Sequence, residues 1–335
     1  MSITFHNETV SQLLNSSEAS IRFRTRVEIL KETISSAELD KLQEQIKNSE
    51  RVRLLLSERR ANGKLPFHPY AKWYGAHWVL SILADLRYPP GDKSLLPLRD
   101  QVYDWLFSPQ HLEYTKRHEP YAGPVMFVHG LPRAHASMEG NALYYLNALG
   151  LSDERTEELA ERLVAWQWPD GGWNCDKRPK AHTSSFTESL LPLRGLVHHL
   201  KSSKGSPAQK QAVRKAVEFF LERKLYKRKH DGKVMSARFT KLHYPCYWHY
   251  DILFGLKVMK EVGGGFIDDP RCNDAINLLR SKQISDGCGG FPAEEAYYQK
   301  TRRTGSRRSV VGWGGVSRGK MNEFVTCDAL CVLPF

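Results

Sequence analysis

The sequence predicts an all-α protein folded as an α/α toroid, a ring of five to six helix pairs whose inner helices surround a central cavity. Two observations predict this fold. A turn rich in glycine and aromatic residues recurs ahead of apolar helices, and such self-similarity is typical of repeated helical units. More polar, amphipathic segments, such as residues 153–166 and 208–225, alternate with the apolar helices and are expected on the outside of the ring.

The recurring turn is clearest at residues 166–173, which read WQWPDGGW. Proline, aspartate and glycine favour a turn, whereas its three tryptophans are too large and apolar to be left in water, so we expect a packed corner. Residues 282–295 contain a second copy, and residues 62–68 and 231–234 contain weaker ones. After the clearest copy, a helix is expected to begin near Ser185.

The apolar helices can be aligned by leucines at helical spacing, of which the first in each are Leu80, Leu143, Leu190, Leu253 and Leu330. The residues two positions before these leucines are Trp78, Asn141, Glu188, Asp251 and Asp328. Because inner helices point their N-terminal side chains toward the central cavity, we predict that the four polar residues form a ring there. In that ring they are candidate catalytic residues, with the acids as proton donors and acceptors. The alternative is that they cap turns or pair with arginines.

Histidines and aromatic residues near the expected starts of the inner helices are further candidates. His182 lies six residues before Glu188, and His249 lies two before Asp251, so either imidazole could act as a catalytic group at the cavity rim. The ring side chains that could bind a substrate, by stabilising a cation or by stacking, are Tyr74, His77, Trp78, Trp173, Tyr247 and Trp248. Ordinary core packing is the alternative for each of them.

The formal net charge of +12 is unevenly distributed, since residues 300–320 contain many basic residues and no acid. We expect a long loop there, which could act as a lid, with Arg302 and Arg303 holding an anionic group such as a diphosphate or a carboxylate. Contact with an acidic membrane surface and a merely solvated loop are the alternatives. No nucleic-acid-binding motif accompanies the basic run. The expected partner is therefore a hydrophobic or anionic small-molecule substrate, with no specific nucleic acid.

We expect a toroid domain over residues 61–335, with residues 1–60 as a helical appendage that belongs to the same barrel. No signal-like apolar run and no apolar stretch of 18 residues occurs. The six cysteines show no paired spacing, which fits a reducing compartment. These observations predict a soluble cytoplasmic protein and leave its oligomeric state open.

The string Gln-x-x-Asp-Gly-Gly-Trp is formed by Gln167, Asp170, Gly171, Gly172 and Trp173. It resembles the repeats of the terpenoid cyclase and protein prenyltransferase α/α toroids, squalene cyclases among them. The resemblance covers most of residues 60–335. It implies a cavity that shelters a prenyl or polycyclic chain, although the Asp-x-Asp-Asp motif of class II cyclases does not occur in this sequence.

The prenyltransferase branch of that resemblance implies a zinc site built from aspartate, cysteine and histidine. The candidate ligands in this sequence are Cys246, His249 and Asp328, whose spacing is not diagnostic. Unpaired cysteines are more often small core residues. We therefore expect no metal and no other cofactor, with zinc as the alternative.

Three functions remain open. We favour an enzyme that acts on a prenyl or polycyclic terpenoid substrate by acid–base chemistry in the central cavity, because of the repeat resemblance. The second is a carbohydrate-active or other hydrolase in which two carboxylates act as acid and base. The third is a non-catalytic binding scaffold. An apolar cavity wall would favour the first function, a polar groove with paired acids the second, and a filled centre the third.

Overall fold

The computed structural model describes residues 7–109, 111, 126–285 and 289–333. Within these residues α-helices carry the fold. In chain order they are α1 (Asn7–Leu14), α2 (Ala19–Arg24), α3 (Ser36–Lys47), α4 (Glu50–Leu56), α5 (Ala76–Asp85), α6 (Leu96–Leu106), α7 (Ala136–Ala148), α8 (Glu154–Ala165), α9 (Phe186–Ser202), α10 (Pro207–Leu221), α11 (Ile252–Val262), α12 (Asn273–Arg280) and α13 (Glu323–Val332). Helix α2 continues into a π-helical turn at Thr25–Ile29.

The other regular elements of the described residues are short. The 3₁₀ turns are Lys93–Leu95, Ala237–Thr240, Phe266–Asp268 and Pro270–Cys272. The strands are β1 (Phe127–Val128), β2 (Leu131–Pro132), β3 (Gln299–Lys300) and β4 (Arg308–Ser309). Strand β1 pairs antiparallel with β2, and β3 pairs parallel with β4. None of the described helices combines the length and the apolar composition needed to cross a bilayer.

Six helices form an inner ring. Helix α5 packs on α7, α7 on α9, α9 on α11, α11 on α13, and α13 on α2. An ion pair between Arg87, which follows α5, and Glu28, in the π-helical turn after α2, joins the two ends of the series. The outer helices α3, α6, α8, α10 and α12 pack on α2, α5, α7, α9 and α11 respectively. This arrangement confirms the predicted α/α toroid, with five complete pairs and α13 as the sixth inner helix.

The aligned leucines explain why the inner helices pack into a ring. In five of the six inner helices, α5, α7, α9, α11 and α13, the first leucine is at most 2% exposed; these leucines are Leu80, Leu143, Leu190, Leu253 and Leu330. Burial of a leucine side chain contributes roughly 2 kcal/mol, and the series repeats this contribution around the ring. The same helical spacing that identified the inner helices therefore forms the core.

Helices α7 and α9 approach each other to backbone contact. A Cβ atom added to Gly140 on α7 would lie 2.3 Å from the backbone nitrogen of Pro192 on α9. A Cβ added to Gly195 on α9 would lie 2.3 Å from the carbonyl oxygen of Gly140. Glycine is needed at both positions because any side chain would force the helices apart. The first turns of α7 and α9 consequently lie side by side.

The clearest copy of the glycine and aromatic turn forms a packed corner, as predicted. The indole N–H of the buried Trp173 donates a hydrogen bond to the carbonyl of Leu163 at 2.8 Å. The side-chain amide of Gln167 donates to the carbonyl of Ala212 on α10, also at 2.8 Å. The corner is thereby tied to two outer helices. In the second copy, residues 286–288 lie outside the described residues.

Oppositely charged side chains of the inner helices pair with one another in the centre of the ring. Arg194 on α9 pairs with Asp85 on α5 at 2.9 Å. Asp328 on α13 accepts from Lys257 on α11 at 2.9 Å and from Arg24 on α2 at 2.6 Å. Burying these groups costs desolvation, which the opposite charges offset only because each has a close partner. The centre of the ring is therefore occupied by a network of ion pairs at this depth.

The basic segment 300–320 is only partly exposed to solvent. Arg308 is 2% exposed and donates to Glu58 at 2.5 Å. Its guanidinium also lies over the ring of Tyr74, 4.6 Å from the centroid. The interpretation of a freely solvated loop is therefore wrong for the middle of this segment, because Arg308 holds it against Glu58 and Tyr74.

Candidate functional site

A cleft of about 950 Å³ opens where the inner helices α5, α7 and α9 begin. Its walls come from the loop before α5, the end of α6, the first turns of α7 and α9, and the corner after α8. The large aromatic side chains that line it are Tyr70, Trp105, Trp166 and Trp248. A concave, largely apolar site of this size is typical for a small-molecule ligand.

Two glutamates from neighbouring inner helices line this cleft. Glu139 lies in the first turn of α7 and Glu188 in the first turn of α9, and they are 1% and 6% exposed. The positive end of a helix dipole favours a negative charge in this position. The backbone contact at Gly140 places the two first turns next to each other. The fold thus brings two nearly buried carboxyl groups to one wall.

Glu188 is held by three groups. Its Oε2 atom accepts a hydrogen bond from the backbone N–H of Ser137 at 3.1 Å. Its Oε1 atom lies 3.6 Å from Nδ1 of His135 and accepts from the thiol of Cys175, with an Sγ–Oε1 distance of 3.4 Å. Burial alone would raise the pKa of Glu188, but His135 and the Ser137 N–H outweigh it and lower this pKa below 4.5.

The same contacts act on the partners of Glu188. The interaction with the carboxylate raises the pKa of His135 above 6.5, although burial opposes this. Burial, together with the charge of Glu188, raises the pKa of the Cys175 thiol far above 9.0. The thiol is therefore protonated at neutral pH and acts as a hydrogen-bond donor.

Glu139 has a separate set of partners. Its Oε1 atom lies 2.9 Å from Nε2 of His111 and 3.9 Å from Nη1 of Arg162. Both His111 and Glu139 line the cleft, with His68 and Lys72 on the same walls. Burial lowers the pKa of His68 and that of Lys72. The carboxyl group of Glu139 thus has a titratable neighbour through which a proton could be exchanged.

One compact group of potential metal ligands occurs among the described residues. His135, Cys175 and Glu188 each offer one ligand atom, and these atoms lie within 4.8 Å of one another. A nitrogen, a sulfur and an oxygen donor fit a tetrahedral zinc ion with a fourth, open position. His135 and Cys175 are half-buried and line the cleft, so the open side of the group faces it.

The predicted polar ring is divided between two places. Glu188 lines the large cleft, whereas Asn141, Asp251 and Asp328 border a void of about 20 Å³ deeper in the ring. That void has room for about one water molecule. The expectation that all four face one open cavity is therefore corrected, because the ion pairs of the centre occupy the space.

Two of the three deeper residues, Asp251 and Asp328, make the contacts that the alternative interpretation predicted, whereas Asn141 bonds to side chains of α5. One oxygen of Asp251 caps α11 by accepting from the N–H of Phe254 at 2.8 Å, and the other accepts from the N–H of His243 at 2.9 Å. Asn141 accepts from the hydroxyl of Ser81 at 2.9 Å. Asp328 pairs with Lys257 and Arg24. Their catalytic role therefore stays a prediction, although each of the three has its polar groups engaged inside the protein.

The two candidate histidines lie outside the large cleft. His182 is exposed, and its Nδ1 is 2.7 Å from the carbonyl oxygen of Lys180. His249 lines a second cavity of about 650 Å³, where its ring stacks on Tyr297 with centroids 3.5 Å apart. Burial lowers the pKa of His249 to about 4. The turn that follows Trp173 carries His182 to the surface, which the spacing to Glu188 did not indicate.

Among the predicted substrate-binding residues, Trp248 lines the large cleft. The other ring side chains do not line it and pack within the protein instead: Tyr74, His77, Trp78, Trp173 and Tyr247. Arg302 and Arg303 are exposed, and they line neither the large cleft nor the second cavity. Core packing, the alternative stated for the ring side chains, accounts for most of this set.

The candidate zinc ligands predicted from the sequence are not brought together. The thiol of Cys246 faces Asp251, with an Sγ–Oδ2 distance of 3.4 Å. The imidazole Nδ1 of His249 is 3.1 Å from the carbonyl oxygen of Cys246, and Asp328 is engaged by its lysine and arginine. These three residues therefore form no ligand group, so the zinc alternative gains no support from them, and the expectation of no cofactor stays a prediction.

Sequence reasoning missed Glu139, His111 and His135, and it noted Cys175 only as one of the unpaired cysteines. One signal was available, since His135 and Glu139 are one helical turn apart ahead of Leu143. His111 carried no signal, because its contact with Glu139 joins residues 28 positions apart.

No protein-family model and no curated protein matches this chain. Among solved structures, it is similar to unsaturated glucuronyl hydrolase from Bacillus sp. GL1, with 12% identity, a TM-score of 0.47, and coverage of 93% of this chain and 82% of that chain. It is also similar to a glycosyl hydrolase of family 88 from Bacteroides vulgatus, with 9% identity, a TM-score of 0.46, and coverage of 98% of this chain and 92% of that chain. For the type II terpene cyclase MstE from Scytonema the identity is 15% and the TM-score is 0.31, with coverage of 96% of this chain and 97% of that chain.

Proposed function

We propose that this chain is an enzyme that hydrolyses a carbohydrate-like small molecule by acid–base chemistry, with Glu139 and Glu188 as its two carboxyl groups. The observation that carries the proposal is that these two nearly buried carboxyl groups, from adjacent inner helices, line one open cleft. Most glycoside-hydrolysing sites use such a pair, one group as proton donor and the other as base or nucleophile. This is the hydrolase alternative stated from the sequence, with Glu139 in place of the deeper acids.

The partners of the two carboxyl groups support a division of roles. Glu139 contacts His111, through which its proton can be replaced, so it is assigned as the proton donor to the leaving group. Glu188 is oriented by the Ser137 N–H and faces His135, so it is assigned as the group that activates water. Both assignments rest on geometry and follow the general rule that a catalytic pair needs different environments.

The aromatic walls support a substrate that contains rings. Tyr70, Trp105 and Trp248 offer faces on which the apolar side of a sugar ring can stack. The cleft is large enough for two or more such rings. Polar groups on the same walls, such as Lys72 and Gln101, could bind hydroxyl or carboxyl groups of the substrate.

An enzyme acting on a prenyl or polycyclic terpenoid substrate is the second candidate function. What favours it is the predominantly apolar and aromatic surface of the cleft, which would shelter a hydrocarbon chain and stabilise a carbocation. In that case Glu139 or Glu188 would protonate the substrate, and no water would be needed at the wall. The repeat resemblance noted at residues 167–173 fits this candidate.

Substrate panels test both candidates. The purified chain is incubated with aryl glycosides, glucuronides and unsaturated glucuronides, and separately with linear and oxygenated isoprenoids, and the products are identified by mass spectrometry. We expect release of sugar, with kcat/KM lowered by at least about 100-fold in Glu139→Gln and in Glu188→Gln. Glu18→Gln is the matched control, because Glu18 is 2% exposed and lies away from the cleft.

The outcomes separate the candidates. Cyclised or isomerised isoprenoids without sugar release would replace the hydrolase proposal by the terpenoid one. Full activity in both cleft variants would contradict a role for these carboxyl groups in either reaction. Equal losses in Glu18→Gln would mean that the variants act through stability.

A further inference from the structure

We infer that His135, Cys175 and Glu188 bind a divalent transition-metal ion, zinc by the chemistry of the donors, at the wall of the large cleft. The metal-binding part stands on the geometry of these residues alone, whereas its catalytic meaning rests on the proposed hydrolase function. The site differs from the candidate set Cys246, His249 and Asp328 in every residue.

The distances fit one ion bound between the three side chains. Oε1 of Glu188 lies 3.4 Å from Sγ of Cys175 and 3.6 Å from Nδ1 of His135, and all three ligand atoms fall within 4.8 Å. Tetrahedral zinc with bonds of about 2.0–2.3 Å requires ligand atoms separated by roughly 3.3–3.8 Å. The two separations from Glu188 are therefore already those of a zinc site.

The ligands come from three segments that the fold holds rigidly against each other. Glu188 lies in the first turn of α9, and His135 directly precedes α7, the helix in backbone contact with α9. Cys175 follows the packed corner that the buried Trp173 anchors. A metal site needs such support because ligands held on separate rigid elements keep their geometry.

The carboxylate is already oriented for a metal. The Ser137 N–H occupies Oε2 of Glu188, so that Oε1 is the oxygen that faces the sulfur and the nitrogen. A hydrogen bond to the second oxygen of a ligating carboxylate is a common way to fix its direction.

Binding balances in protons and charge. The S–H bond of Cys175 breaks, a metal–sulfur bond forms, and the proton leaves to solvent, while His135 binds through an unprotonated ring nitrogen. Three protein ligands leave a fourth position open, and the cleft lies on that side. Glu188 would then be a metal ligand, the metal would lower the pKa of a bound water so that its proton leaves to solvent and the hydroxide is the nucleophile, and Glu139 would remain the proton donor to the leaving group.

Cobalt spectroscopy tests the site independently of turnover. The full chain is stripped with a chelator and titrated with Co²⁺, and thiolate-to-cobalt charge transfer is recorded, followed by zinc stoichiometry after dialysis. We expect one equivalent of metal in the wild-type protein and in Glu139→Gln. Cys175→Ser is expected to lose the charge-transfer band and to bind zinc at least about 100-fold more weakly. Cys246→Ser is the matched control, because Cys246 is also a half-buried thiol beside a carboxylate.

Several results would overturn the inference. These are a wild-type protein without the band or without stoichiometric zinc, a Cys175→Ser variant that keeps the band, and loss of the band in Cys246→Ser instead. His135→Gln, which changes a half-exposed side chain, gives a second variant if Cys175→Ser does not fold, as checked by circular dichroism.

The same measurements separate this inference from the hydrolase proposal. Stoichiometric metal without sugar release supports the site and contradicts the hydrolase function. Sugar release that survives both chelation and Cys175→Ser supports the hydrolase function and contradicts the metal.

Discussion

Acidification is expected to destabilise this protein through a histidine buried in the inner ring. His77 on α5 is fully buried, with Nδ1 3.1 Å from the hydroxyl of Tyr145 and Nε2 3.1 Å from the amide nitrogen of Asn141. The rings of Trp78 and Trp105 pack against it edge to face. Burial, followed by the charge of His111, lowers the pKa of His77 from 6.5 to about 3.

The direction of the pH effect on stability follows from which state, folded or unfolded, binds the proton more readily. Below the unfolded pKa of 6.5 the unfolded chain is protonated at this residue, whereas the folded protein stays neutral until the pH approaches 3. Stability is therefore complete above about pH 6.5 and is lost as the pH falls from there toward 3. Between about pH 7 and about pH 5, proton uptake by the unfolded state favours unfolding by roughly 30-fold, which corresponds to about 2 kcal/mol.

Urea unfolding at several pH values measures this contribution. The comparison is between the wild-type protein and His77→Gln, which does not titrate, and the relevant quantity is how much free energy of unfolding each loses between about pH 7 and about pH 5. We expect the wild-type loss to exceed the variant loss by about 2 kcal/mol. His182→Gln, a change at an exposed histidine, is expected to lose as much as the wild type. Equal losses in the wild type and in His77→Gln would refute the reasoning.

Two further substitutions test the packing that positions the site. Gly140→Ala is expected to lower the free energy of unfolding by about 3 kcal/mol, since the new Cβ meets the backbone of α9, whereas Gly315→Ala, with nothing within 4 Å, should be neutral in the same urea titration. An unchanged midpoint in Gly140→Ala would contradict the close helix contact. Asp328→Asn is expected to cost about 3 kcal/mol because it leaves Arg24 and Lys257 buried with less compensating charge, while Co²⁺ binding at the cleft is retained. Thermal unfolding measures this cost, and a melting temperature equal to that of the wild type would show that the ion pairs contribute nothing.

The local pattern of the sequence was sufficient to predict the ring of helices. Leucines such as Leu143 and Leu190 recur at helical spacing, and burying them is favourable wherever the helices meet, so the spacing identified the inner elements. The corner at Trp173 was predictable for the same reason, because its tryptophans must leave water. Position along a helix also predicted that Glu188 would be one of the inward-facing polar residues.

What the sequence by itself determined is therefore which residues point inward, since helical period and hydrophobicity are local properties. Only the tertiary structure decided which charged and polar groups contact these inward-pointing residues. Asp328 occupies the same aligned position as Glu188, yet it is paired with Arg24, 304 positions away, whereas Glu188 lines a cleft and has His135 and Cys175 as its side-chain partners. Whether an inward carboxylate is neutralised or stays available depends on charges that distant segments bring to it, and no local pattern contains that information.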